Sequence, residues 1–250
     1  MQLLWKEKFN WDTPLPREIC DEWYLISVDL EKGSSLSFPR QFFENCQETD
    51  SFLIHVFADS SELGLGAVAY LVKGHQSAII ISKSRIAPIK RITMPKLELI
   101  SAVIASRLTN HIRKAFSGFD VEYHLWSDNQ AVLTWILTHK SLAAYTSERV
   151  KEISELTCSY PWHYVPSTEN PSDILTRGKS FSDFELSTLW WNGPAFLTDR
   201  SQWPDWEPTN ATLVSINSVF NYLPDEDDPN SNYHNPELNL GVHNLSLIHI

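Results

Sequence analysis

The sequence predicts an α/β protein with a mixed five-stranded sheet, an antiparallel meander continued by parallel strands, flanked by helices and followed by a disordered C-terminal tail. Three observations predict it. Leu53–Ala58, Gly66–Val72 and Ser77–Ser82 are β-rich runs separated by short turns containing Gly64 and Gly74, the pattern of a meander. After them the apolar residues recur at helical spacing, and helix and strand alternate. The third observation is a carboxylate at the end of an apolar strand, Asp59 in Val-Phe-Ala-Asp-Ser-Ser. A carboxylate there is costly to bury unless a cation meets it.

With 250 residues and 42% hydrophobic content, the chain can bury a sizeable core. No apolar run reaches the roughly 18 residues of a membrane span, and the first residues, Met1 to Glu7, do not read as a signal peptide. Cys20, Cys46 and Cys158 are too few and too scattered for a disulfide framework or a zinc site, so an intracellular, reduced setting is expected. The net charge of -11 is unevenly spread. Residues 51–180 hold 14 Lys/Arg against 11 Asp/Glu, whereas 1–50 hold 5 against 10 and 181–250 hold 1 against 10. A mildly basic centre between acidic flanks suggests one functional core.

In chain order, residues 1–45 mix Trp5, Trp11 and Trp23 with prolines, and Asp21–Leu30 reads as one amphipathic helix of a packing appendage. The three strands follow. Lys83 to Lys96 is then a basic loop containing Lys83, Arg85, Lys90 and Arg91. Pro95 suits a helix start, and Leu97, Ile100, Ile104, Leu108 and Ile112 carry that helix to about Phe116. Glu98 lies one turn inside it, where an acid also simply suits the helix dipole. Val121–Asp128 is a strand that again ends on a carboxylate, and Asn129–Leu137 is a helix that Asp128 could equally cap. Thr146–Leu156 is a further helix and Trp162–Pro166 a last strand. Glu169–Gly178 is a short helix with Pro171 near its start, Asp173 in its first turn and Gly178 as C-cap.

Together, Asp59 in Phe-Ala-Asp-Ser-Ser, Glu98 in Met-Pro-Lys-Leu-Glu-Leu, Asp128 in Trp-Ser-Asp-Asn and Asp173 in Asn-Pro-Ser-Asp-Ile-Leu-Thr-Arg-Gly resemble the ribonuclease H region of a retroelement polymerase polyprotein. Ser-Lys-Ser-Arg-Ile-Ala-Pro and Leu-Trp-Trp-Asn-Gly-Pro are similar to the Bel/Pao class of long-terminal-repeat retrotransposons. The resemblance covers about Leu4 to Trp206. It implies a tail of a reverse transcriptase or connection segment over 1–45, a ribonuclease H-like domain over 46–180, a Trp-rich C-terminal extension over 181–206, and an acidic disordered linker over 207–250 leading toward an integrase.

The activity implied is two-metal hydrolysis of the RNA strand of an RNA-DNA hybrid. Two Mg2+ or Mn2+ ions would activate water and neutralise the leaving oxygen, and such hard ions prefer oxygen ligands. By the resemblance, Asp59 bridges both ions, Glu98 and Asp128 hold one, and Asp173 holds the other. Lys83, Arg85, Lys90 and Arg91 are candidates for phosphate contacts. Ser60, Ser61 and Asn129 are candidates for hydrogen bonds to the nucleic acid and also suit turns or caps. The implied partners are the hybrid and the reverse transcriptase and integrase portions of the same polyprotein, with no membrane, in a cytoplasmic retrotransposon particle. One departure is the loop before Asp173, Ser167-Thr168-Glu169-Asn170, which lacks the His that many ribonuclease H domains place there; His163 nearby reads as a packed core residue. Two rival functions are a non-catalytic connection module that positions nucleic acid, and an aspartic peptidase. The peptidase reading lacks its Asp-Thr/Ser-Gly triplet, since Asp59-Ser60-Ser61 has no Gly.

Overall fold

The computed structural model describes residues 2–37, 41–44, 46, 50–90, 92–138, 142–157 and 160–207. Arg91, Cys158 and nearly all of the expected acidic linker lie outside the described residues. Two helices come first, α1 (Gln2–Lys6) and α2 (Arg17–Gly33). They lead to three strands, β1 (Phe52–Ser60), β2 (Gly64–Lys73) and β3 (Gln76–Ile86), then helix α3 (Met94–Ala115) and strand β4 (Val121–Ser127). Helices α4 (Gln130–Thr138) and α5 (Ala144–Thr157) precede the short strand β5 (Trp162–Tyr164). A 3-10 turn at Ser167–Glu169 is followed by α6 (Asp173–Arg177), α7 (Phe181–Glu185), α8 (Thr188–Asn192) and two further 3-10 turns that end at Gln202. Among the described residues no helix is long and apolar enough to cross a membrane.

The five strands form one mixed sheet in the order β3-β2-β1-β4-β5. β1, β2 and β3 pair antiparallel, while β4 and β5 add in parallel beyond β1, as the sequence predicts. The register has one consequence for chemistry. Ala58 of β1 lies beside Ser127 of β4, so the next residues, Asp59 still in β1 and Asp128 just past β4, follow at neighbouring positions at the same end of the sheet.

Successive residues of a strand face opposite sides, and both sides are covered. Ile54, Val56, Ala58, Leu65, Ala67 and Leu125 meet Leu99, Val103 and Leu108 of α3 in one core. Phe57, Val68, Tyr70 and Trp126 meet Ile174, Trp190, Phe196 and Leu197 in the other. Residues 181–206 therefore seal the second face, with the Tyr70 hydroxyl donating to the Trp190 carbonyl at 2.8 Å. His163 is packed, as expected, 4.6 Å from the Trp126 ring and with its Nε2 3.1 Å from His124 Nδ1. Burial of these rings pushes both His124 and His163 down to about 4.

Several boundaries differ from the sequence reading. β3 runs on to Ile86 rather than ending at Ser82, because β2 starts at Gly64 and the ladder continues to the Gly64–Ile86 pair. Lys83 and Arg85 are thus strand residues rather than loop residues, charges that suit an edge strand. β5 stops at Tyr164, since β4 ends at Ser127 and Pro166 has no N–H to donate. The expected helix over 169–178 is broken at Asn170, which is held extended (φ -81°, ψ 105°) ahead of Pro171; α6 begins only at Asp173, and Gly178 ends it at φ 76°. Helix α2 begins four residues before Asp21, buries none of its residues and leaves Trp23, Tyr24 and Leu25 exposed. Its Asp29 accepts a hydrogen bond from the Phe181 N–H at 2.7 Å.

Candidate metal centre

Three elements deliver one carboxylate each. β1 brings Asp59 near its end, α3 holds Glu98 just past its first turn and three residues after Pro95, and Asp128 is the first residue after β4. One oxygen from each lies within 4.8 Å of the others. Asp59 is 3% exposed and Glu98 7%, so the charges meet with little water to screen them. Among the described residues, none of the three forms an ion pair with a cation.

Neutral hydroxyls orient two of them. Thr176 Oγ1 of α6 donates to Asp59 Oδ2 at 2.5 Å, and Ser167 Oγ donates to Asp128 Oδ2 at 2.6 Å. Glu98 Oε2 and Asp128 Oδ1 are buried and have no hydrogen-bond partner among the described residues. Burial pushes the Asp59 carboxyl up to about 6, helped by the charges of Asp128 and Asp173 and opposed by the Thr176 hydroxyl. Burial pushes Glu98 further, to about 9, with Asp59 and Asp128 adding to the rise and Ser60 opposing it. An all-oxygen donor set with orphaned buried acceptors fits a hard divalent cation. A bound cation would offset both the burial and the repulsion that raise the Asp59 and Glu98 carboxyls.

Asp173 is not in this group. It opens α6, and its Oδ1 makes an ion pair with Arg177 Nε one turn along, while its charge still reaches Asp59. Ser60 is 3% exposed beside Glu98. Asn129 Oδ1 accepts from the Val132 N–H at 3.0 Å and so caps α4. Lys83 and Arg85 stand opposite Ala67 and Leu65 on β3, two strands and about 10 Å from β1. Lys90 is exposed in the segment before α3, and Arg91 lies outside the described residues.

Several residues that shape the centre went unread in the sequence. α6 is fastened to β1 by Ser172 Oγ donating to the Phe57 carbonyl (2.8 Å) and Asn170 Nδ2 donating to the Ala58 carbonyl (2.9 Å). Ser61, which the sequence offers as a nucleic-acid contact or a turn residue, donates its Oγ to the Thr176 carbonyl at 2.7 Å and accepts from the Leu63 and Gly64 N–H groups of the turn. Arg177 could have been found, because it follows Asp173 at the helical spacing of four. Ser167 carries no local signal.

The profile of a family described as Pao retrotransposon-like RNaseH-like domain matches residues 1–129. The chain belongs to this family. The part matched to this RNaseH-like family contains Asp59, Glu98 and Asp128 and ends before Asp173. No curated protein sequence matches the chain. Among solved structures, the chain is similar to the N-terminal RNase H domain of a Mycobacterium tuberculosis protein, with 13% identity, 52% of this chain and 92% of that chain covered, and a TM-score of 0.39. It is also similar to RNase H1 from the archaeon Halobacterium salinarum (15% identity, 55% and 99% covered, TM-score 0.37). A third similar structure is the foamy viral protease-reverse transcriptase in complex with an RNA/DNA hybrid (11% identity, 57% and 22% covered, TM-score 0.33).

Proposed function

We propose that this RNaseH-like domain hydrolyses phosphodiester bonds in the RNA strand of RNA-DNA hybrids. In this reading, two Mg2+ or Mn2+ ions are held by Asp59, Glu98, Asp128 and Asp173. The observation that carries it is the convergence of three carboxylates from β1, α3 and the end of β4 within 4.8 Å, with buried oxygens left unpartnered. Bound divalent ions supply an activated water and offset charge on the leaving oxygen. The chain's own part is to hold the donors. Thr176 occupies one oxygen of Asp59 and Ser167 one oxygen of Asp128, and the other oxygen of Asp128 has no partner among the described residues. Glu98 keeps its proton at neutral pH until a cation takes its place.

Lys83, Arg85, Lys90 and Arg91 are assigned to substrate phosphates, and Ser60 and Asn129 to hydrogen bonds beside the centre. Lys and Arg grip the backbone without reading sequence, and the 2'-hydroxyl separates RNA from DNA. The same reading places residues 1–45 after a reverse transcriptase and the acidic end before an integrase, within a polyprotein of a cytoplasmic retrotransposon particle.

The test is a labelled hybrid incubated with the purified protein, with and without Mg2+. RNA-strand cutting that requires the metal and is lost in Asp128→Asn is expected. Absence of cutting, or equal cutting by the variant, would sink the reading.

A further inference from the structure

We propose that Arg177 is a built-in counter-ion of the centre: at rest it holds Asp173 apart from the three clustered carboxylates, and it releases Asp173 when a nucleic-acid phosphate takes the guanidinium. The proposal rests on the reading of Asp173 as a metal ligand. Three observations on α6 carry it.

The first is position. Asp173 and Arg177 form an ion pair across one turn of α6, while Asp59, Glu98 and Asp128 gather without Asp173. The second is anchoring. Hydrogen bonds from Asn170, Ser172 and Thr176 to β1, and from Ser61 to the Thr176 carbonyl, fix this five-residue helix at both ends. Arg177 follows Thr176 directly, so its backbone is held beside the centre. Its guanidinium feels Asp173 first, then Asp59 and Asp128. Among the described residues it is the cation that pairs with any of the four carboxylates.

The third observation is weakness. The side chains of Arg177 and Asp173 are 67% and 40% exposed, and an exposed pair at this spacing is weak, about a twofold preference. A phosphate that the guanidinium meets with two parallel hydrogen bonds binds more strongly than that. The exchange therefore runs toward the phosphate when substrate arrives. Asp173 is then free to turn toward the cluster, and the fourth carboxylate is supplied only when nucleic acid is present.

The experiment measures Mn2+ affinity calorimetrically on the full chain without nucleic acid. It uses the native protein, Arg177→Gln, Asp173→Asn and the double variant. Arg177→Gln is expected to tighten Mn2+ binding about twofold, the scale of an exposed i,i+4 ion pair. In the Asp173→Asn background it is expected to have almost no effect. An equal gain in both backgrounds would mean simple loss of a nearby positive charge and would overturn the proposal, as would no gain at all. Arg177→Gln is also expected to weaken metal-free binding of a labelled hybrid several-fold, with Arg177→Lys in between; unchanged hybrid affinity would overturn the exchange. If Asp59→Asn and Glu98→Gln leave Mn2+ binding intact, the metal reading itself falls and this proposal with it. If they abolish binding while the Arg177 effect is the same in both backgrounds, only the role of Arg177 falls.

Discussion

In the metal-free protein Glu98 carries a proton at neutral pH, because burial and the charges of Asp59 and Asp128 hold its carboxyl up at about 9 against an ordinary 4.5. The sign for stability follows. An acid whose folded pKa lies above its unfolded one costs nothing below the unfolded value and destabilises the fold progressively as pH rises toward the folded value. The melting temperature without metal is thus expected to fall between about pH 4.5 and 9, with Asp59 adding to the fall between about 3.8 and 6. Glu98→Gln keeps the shape without the ionisation. It is expected to stabilise the metal-free protein by up to about 3 kcal/mol at neutral pH and to flatten most of that slope in thermal melts; an unchanged slope would contradict the assignment. Mg2+ binding at neutral pH is expected to expel the Glu98 proton, measurable as a heat that varies with the ionisation enthalpy of the buffer. Asp59, Glu98 and Asp128 were legible in the sequence because each sits where a strand ends or a helix begins. Thr176 and Ser167 were not, since their partners lie 117 and 39 residues away. The pairing of Asp173 with Arg177 was not read either, because a first-turn Asp suits a helix start as well as a helical ion pair.

At the scale of elements, the centre depends on how closely α6 approaches the β1-β2 pair. Gly66 stands opposite Asp59 in the sheet, and a Cβ there would lie 2.9 Å from Leu175 Cδ1 and 3.0 Å from Leu175 Cβ. Gly66→Ala is therefore expected to push α6 outward, costing about 1–3 kcal/mol and loosening the Thr176 contact to Asp59. Chemical denaturation checks the first effect and Mn2+ titration the second; a variant as stable as the parent would argue against tight seating of α6. The meander and the later alternation of strand and helix were legible from hydrophobic period and glycine turns. The far end of β3 was hidden by Lys83 and Arg85, whose charges read as loop although the backbone ladder with β2 runs on. The break between the 3-10 turn and α6 was hidden because Pro171 was read as a helix start, whereas its steric effect on Asn170 delays the helix.

At the scale of the whole molecule, residues 181–206 complete the second face of the sheet. Phe196→Ala is expected to cost about 3–5 kcal/mol, and a chain ending at residue 180, which uncovers Tyr70 and Trp126, is expected to lose cooperative melting. By contrast α2 buries none of its residues, so a chain starting near residue 41 is expected to melt within a few degrees of the full one. The topology also sets an order of events in time. β1, β2 and β3 can pair locally as soon as they are made, but the parallel neighbour of β1 arrives only with β4, and the bonds that fasten α6 to β1 close loops of 112 to 117 residues. Contacts this distant in sequence form late, because the entropy of closing the loop is lost before the contact rewards it. Asp59 is thus synthesised early and completed last: until Thr176 has been made, the chain lacks both the bonds that fasten α6 to β1 and the hydroxyl that holds the Asp59 carboxylate.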